Sequence, residues 1–157
     1  MQTVALIALN NLTSTDSTGG AEPVRKNEGD IFMKCGKILS PMTGEAVGLG
    51  EVPDPVFSQK IIGDGMAVIP SEGKLLSPVD GEVISVADTK HAFGLRTAEG
   101  LELLIHVGLE TVHLKGECFQ VFVKPGDKVK AGDLLAEVDL AYLKEREINP
   151  ILSLIHI

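Results

Sequence analysis

Tryptophan is absent from the 157 residues, tyrosine occurs once and phenylalanine five times. A core must therefore be assembled from Val, Ile, Leu and Ala, and the β-branched members of that set favour pleated strands. Cysteine is nearly as scarce. Cys35 and Cys118 stand far apart, form no CxxC pair and show no metal-ligand spacing. A disulfide framework is not expected, and this usage fits a reducing cytoplasm. Cys35 has basic neighbours that would lower a thiol pKa, but it lies beside a predicted linker. Cys118 precedes a strand and is expected to be partly buried. Neither is selected as a nucleophile. Basic residues are also in short supply, with 14 Lys and Arg against 22 Asp and Glu, for a net charge of −8. Nucleic acid demands a basic face and an anionic membrane a polybasic one, so both are excluded as expected partners. An acidic chain instead steers basic partners toward itself. Long apolar runs are missing too. The stretch from Val4 to Leu9 is too short to span a bilayer and lacks a basic flank and a cleavage site, so no direct membrane insertion is expected.

Glycine and proline, by contrast, are plentiful at 17 and 8 residues. In a chain rich in Val and Ile they mark short strands joined by tight turns. Asn10 to Asp30 is polar with little to bury, and residues 1–36 read as a flexible tail or linker. Residues 37–157 read as one domain. Within it an internal echo stands out: Leu39-Ser40-Pro41-Met42-Thr43-Gly44-Glu45 recurs as Leu76-Ser77-Pro78-Val79-Asp80-Gly81-Glu82. Each copy reads as a strand end, a Pro turn, a Gly position and a new strand. Two copies suggest a duplicated β-architecture rather than a solenoid. Further strands are expected at Met66–Ile69, Gly81–Val86, Ala92–Thr97, Leu101–His106, Phe119–Val123 and Leu134–Val138. One short helix is expected at Leu140–Glu147, and helical turns near Asp54–Lys60 and Gly108–Val112. No long amphipathic helix separates the strands, which disfavours a parallel sheet. The expected fold is an all-β, antiparallel sandwich or barrel with short helical turns.

His91 opens one predicted strand and His106 closes the next, with a turn around Ala98-Glu99-Gly100 between them. If the strands pair as a hairpin, both imidazoles reach the same sheet edge. A neutral imidazole nitrogen is nucleophilic near neutral pH, and a second His can stabilise phosphoryl oxygens. The pair therefore suits a phosphoryl relay, with Thr89 orienting His91 and Gly108 leaving room for a partner backbone. For two histidines alone chance is the better reading, and His113 and His156 are read as structural or merely exposed. His106 and Glu110 with His91 would also suit a zinc ion, although no H-x-H or HExxH occurs.

At these residues the chain resembles a known family. Val52-Pro53-Asp54-Pro55-Val56-Phe57-Ser58, Gly63-Asp64-Gly65 and Ser77-Pro78-Val79-Asp80-Gly81 occur in order. They are followed by Gly100-Leu101-Glu102-Leu103-Leu104-Ile105-His106-Val107-Gly108-Leu109-Glu110-Thr111-Val112 and Leu114-Lys115-Gly116, with Thr-x-His upstream. Together they resemble the glucose-family enzyme IIA domain of the bacterial phosphoenolpyruvate-dependent sugar phosphotransferase system, from about Ile38 to Pro150. The resemblance implies a duplicated half-barrel (a duplicated hybrid motif) and a phosphotransferase component with a phosphohistidine intermediate. His106 would be the phosphoacceptor, His91 its phosphoryl-stabilising partner and Thr89 the support of His91. The donor would be the phosphocarrier HPr and the acceptor a cysteine on an enzyme IIB domain of a sugar permease. No cofactor and no metal are implied. The location would be cytoplasmic, free or tethered to the permease. Phe57, Ile61, Ile62 and Leu104 would form an apolar docking rim, with Ala87 as a smaller rim residue than relatives can carry. Asp54, Asp64 and Glu110 would surround it and speed encounter with basic HPr residues.

Leu152–Ile157 does not resemble the family's ending. It reads either as a terminal strand or as the remnant of a truncated frame, and a missing strand would leave an unpaired sheet edge. Three competing readings follow from other features. One is a zinc hydrolase on a related duplicated β-fold. Another is a carrier module, because Val123–Val138 resembles a biotinyl or lipoyl hairpin, with Lys128 in an imperfect motif and taken as a surface residue. The last, compatible with the relay, is regulation of other transporters or enzymes by the unphosphorylated form.

Overall fold

The computed structural model describes residues 38–157 together with the backbone of Leu6–Ile7. The expected linker at residues 1–36, including Cys35, otherwise lies outside the described residues. Strand β1 (Leu6–Ile7) pairs antiparallel with β2 (Ile38–Leu39). The following strands are β3 (Gly44–Gly48), β4 (Asp64–Pro70), β5 (Lys74–Leu76), β6 (Gly81–Val86), β7 (Ala92–Arg96) and β8 (Glu102–Val107). They continue with β9 (Phe119–Val121), β10 (Lys128–Val129), β11 (Leu134–Val138) and β12 (Leu152–His156). A seven-stranded sheet has the order β10-β6-β7-β8-β12-β4-β3, and a three-stranded sheet the order β5-β11-β9. Every pairing is antiparallel.

The two sheets close over one core, in which Phe93, Ile105 and Leu154 of the large sheet join Leu75, Leu135 and Phe119 of the small one. This is the expected antiparallel sandwich. Few rings are needed, because aliphatic side chains on alternating positions fill the space between the sheets. The sequence echo is physical as well. Leu39 N–H donates to Pro78 O at 2.9 Å, and Leu76 N–H donates to Pro41 O at 2.7 Å. The two turns thus bond each other reciprocally. Ser40 Oγ caps Met42 O and Ser77 Oγ caps Val79 O, both at 2.7 Å. A Cβ on Gly44 would meet Ile69 O at 2.1 Å, and one on Gly81 would meet Arg96 O at 2.3 Å. Equivalent glycines are therefore imposed by equivalent close approaches of backbone.

Two short helices follow their caps. In α1 (Pro55–Ser58) the Asp54 carboxylate accepts from Val56 N and Pro55 occupies the first turn. In α2 (Leu140–Glu145) the Asp139 carboxylate accepts from Tyr142 N, and Leu143 anchors the helix to the core. Helical 3-10 turns occupy Leu49–Glu51 and Thr111–Leu114. Lys128, weighed above as a carrier lysine, lies in β10 and pairs with Glu82 of β6.

Of the two readings of the C-terminal segment, the structure shows the strand. Leu152–His156 forms β12, hydrogen-bonded to β8 on one side and β4 on the other. Its residues qualify because Leu152 and Leu154 face the main core while Ile155 faces the other side.

Substituting Gly81→Ala forces a backbone shift and should lower stability by about 2–3 kcal/mol. Gly48→Ala, with nothing within 4 Å of the added Cβ, should change stability by less than about 0.5 kcal/mol. Urea or thermal unfolding of the two variants measures the contrast.

Candidate active site

Strand β8 carries Leu103, Ile105 and Val107 into the main core. The pleat then places Leu104 and His106 on the opposite face. There Leu104 packs against a second apolar cluster of Leu49, Val52, Phe57, Ala67, Ile151 and Ile155. Directly across from His106 lie Ala92 on β7 and Ser153 on β12. Both are small, so the imidazole is not crowded from either neighbouring strand.

The hairpin β7–β8 brings the two histidines together. Ala92 pairs with His106, and Val107 N–H donates to His91 O at 2.8 Å. The ring centroids stand 4.9 Å apart, edge to face, with an interplanar angle of 80°. Thr89 Oγ1 lies 2.6 Å from His91 Nδ1. Lys90 between them takes a left-handed φ of 62°, in the turn closed by Lys90 N–H to Ala87 O. Phe57, projected from α1, covers His106 on another side with centroids 4.9 Å apart.

This enclosure sets the electrostatics. Burial, and then the neighbouring His91, push the pKa of His106 down from 6.5 to about 4. The Gly108 backbone and the Asp54 carboxylate favour the charged ring more weakly. His106 Nδ1 is buried without a hydrogen-bond partner. Burial also lowers the pKa of His91. Both rings are therefore neutral at pH 7, and with Nδ1 enclosed, Nε2 is the His106 nitrogen left for an incoming group.

The turn after His106 is tightly held. Gly108 N–H donates to Ile151 O and Leu109 N–H to Asn149 O, each at 2.9 Å. Thr111 Oγ1 donates to Val107 O at 2.6 Å. Gly108 has a φ of +73°, and a Cβ there would lie 2.5 Å from Thr111 Cγ2 and 3.2 Å from Asn149 O. Gly108 was expected to make room for a partner's backbone. It is buried, and the room it makes is taken by this chain's own Thr111 and Asn149.

The expected rim is partly rearranged. Ile61 and Ile62 are 66% and 38% exposed, and Val56, which the sequence reading did not select, is 41% exposed. Phe57 is only 5% exposed, so it floors the site rather than lining its rim. Leu104 is half-buried against the second cluster. Asp64 is committed within the chain, paired with Lys60 Nζ at 2.8 Å and accepting from Gly65 N. Asp54 caps α1 and still reaches His106 electrostatically. Glu110 is exposed, at a left-handed φ of 56°. Among the described residues no three His, Cys, Asp or Glu side chains gather so as to hold a metal ion. Cys118 is buried, and burial raises its pKa. The sequence reading also passed over Ser153 and Thr111. The H-V-G-x-x-T spacing signals the latter, since a threonine four residues on can bond back to the carbonyl of Val107.

Fold and site together define an all-β protein that presents a neutral, enclosed histidine pair. A family model described as "phosphoenolpyruvate-dependent sugar phosphotransferase system, EIIA 1" matches residues 36–157. The chain belongs to this family, whose members are phosphotransferase components of sugar transport. It is 51% identical over 134 residues to the PTS system glucosamine-specific EIICBA component of Bacillus subtilis, covering 85% of this chain and 20% of that protein. It is 48% identical over 119 residues to the glucose-specific EIIA component of Staphylococcus epidermidis, covering 74% and 72%. The solved glucose permease IIA from Mycoplasma capricolum superposes with a TM-score of 0.71 at 39% identity, covering 76% and 77%. The chain thus spans about a fifth of the fused relatives. No described helix is long and apolar enough to cross a membrane.

The lowered His106 pKa makes stability depend on pH. An unfolded His binds a proton near pH 6.5, whereas the folded one resists until about 4. The contribution is complete above pH 6.5 and is lost progressively as pH falls to 4. In NMR titration His106 should titrate near 4, and Phe57→Ala, by admitting water, should raise that value by about one unit.

Proposed function

We propose that this chain is a phosphoryl carrier of sugar uptake, which accepts from HPr on His106 and passes the group to a cysteine of an enzyme IIB domain. The observation that carries the reading is the edge-to-face His91–His106 pair, held so that one neutral nitrogen of His106 is left for reaction. The His106 Nε2 lone pair attacks phosphorus. The N–P bond to the donor imidazole breaks, and the donor ring leaves with the electron pair. In the second half the IIB thiolate attacks phosphorus, and His106 regains its lone pair. The transition state is loose, so positioning and charge stabilisation supply most of the catalysis. With Nδ1 accepting from the Thr89 hydroxyl, His91 carries its proton on Nε2 and donates to a phosphoryl oxygen. Burial keeps His106 unprotonated at neutral pH, so no proton has to leave before attack.

The exposed Val56, Ile61 and Ile62 supply apolar docking area beside this recess. Asp54 and Glu110 supply negative charge for a basic partner. The named relatives include glucosamine- and glucose-specific proteins. The reaction involves no sugar contact at His106, so sugar choice rests with the permease components. The working location is the cytoplasmic face, as a separate subunit or tethered to a permease.

Incubation with phosphoenolpyruvate, enzyme I and HPr should add one phosphoryl group, mapped to His106 by peptide mass. The adduct should be acid-labile and base-stable. Stable labelling of His106→Gln, or no HPr-dependent labelling of folded wild type, would contradict the proposal. His91→Gln should still accept from HPr but transfer to IIB about a hundredfold more slowly. Ile61→Asp should raise the KM for HPr several-fold with the fold and the His106 pKa unchanged, which steady-state kinetics and NMR together read out.

A further inference from the structure

We propose that Thr111 is a positioning residue for the His106 site, acting through the Val107–Glu110 turn. Its kinetic part rests on the carrier reading above, and its spectroscopic part does not. Thr111 is fully buried, and its two side-chain branches do separate jobs. Oγ1 donates to Val107 O at 2.6 Å, at the short end for a hydroxyl donor. Cγ2 packs on the bare α-carbon of Gly108, 2.5 Å from where a Cβ would stand.

The peptide groups that Thr111 holds reach both histidines. The amide of Val107 belongs to the peptide bond leaving His106, and it donates to His91 O at 2.8 Å. The carbonyl of Val107 accepts from Thr111. Gly108, which Thr111 packs against, is the next residue of the same turn. The turn needs a clamp, since Glu110 sits at a φ of 56°, a costly region for a residue with a Cβ. The 149–151 segment clamps it from one side through Gly108 and Leu109, and Thr111 clamps it from the other. Serine keeps the hydroxyl without the methyl, and valine keeps the shape without the hydroxyl. Threonine alone does both.

The consequence is a fixed imidazole. By holding the Val107 peptide, whose amide bonds His91 O, Thr111 keeps the His106 ring edge to face on His91. The test is the contact between the two rings in unphosphorylated protein, read as NMR cross-peaks between their carbon-bound protons, together with HPr-dependent phosphorylation rates. Wild type should show those cross-peaks. Thr111→Val should weaken them and accept phosphoryl about tenfold to a hundredfold more slowly, with the KM for HPr unchanged. Thr111→Ser, which keeps the hydroxyl and loses the methyl, should fall between Thr111→Val and wild type in both. A folded Thr111→Val protein with wild-type cross-peaks and rate would overturn the proposal. Should Thr111→Val not fold, Thr111→Ser and Thr111→Ala differ only in the hydroxyl, and equal cross-peaks in the two would overturn it as well. Wild type that accepts no phosphoryl group counts against the carrier reading, while the cross-peak comparison judges Thr111 either way.

Discussion

Side chains on a strand alternate between two faces, and β8 is held to this rule from both sides. Pairing with β7 and β12 leaves it no freedom to twist a residue across. Once Leu103, Ile105 and Val107 enter the main core, Leu104 and His106 must stand on the other face. The second apolar cluster then acts as a low-dielectric wall, and Phe57 from α1 closes it. The depressed basicity of His106 follows first from that wall and then from His91 beside it. The enclosed ring is a by-product of core packing on a central strand, which explains why so few polar groups surround it.

The frame that holds this strand is built twice. The paired Leu-Ser-Pro turns bond to one another, and their serines and glycines do the same work in each copy. The duplication is not carried into the site. His91 and His106 come from one hairpin, and the strand beside them, β12, has no equivalent in the echo. A repeated scaffold thus supports a site that is asymmetric.

Much of this was legible in the sequence, for physical reasons. Strands that open at a Gly turn and run into an Asp, such as Gly81–Val86 and Leu134–Val138, declare both their ends, and the structure reproduces both. The histidine pairing followed from hairpin topology. The short strand β10 was missed, because two residues carry no period. For β12 both a strand and a remnant were open, since a nearly continuous apolar run has no alternation to read. A strand buried on both faces looks that way. Phe57 shows the other limit. Its place in the motif suggested a rim, but whether an aromatic at a helix end points outward or under the helix depends on distant packing, here with Ala67 and Ile155.

The position of β12 in the sheet also governs how the chain can reach its native state. β4 and β8 are not neighbours; β12 lies between them, and it follows both in the chain by a long stretch. During vectorial synthesis each of them exposes a row of unpaired backbone groups until β12 emerges. The large sheet therefore closes as a late, non-local event, with the slow kinetics that such pairings impose. The face on which His106 lies is completed only then, so the imidazole acquires its enclosure, and with it its neutrality in mildly acid solution, only once β12 has paired.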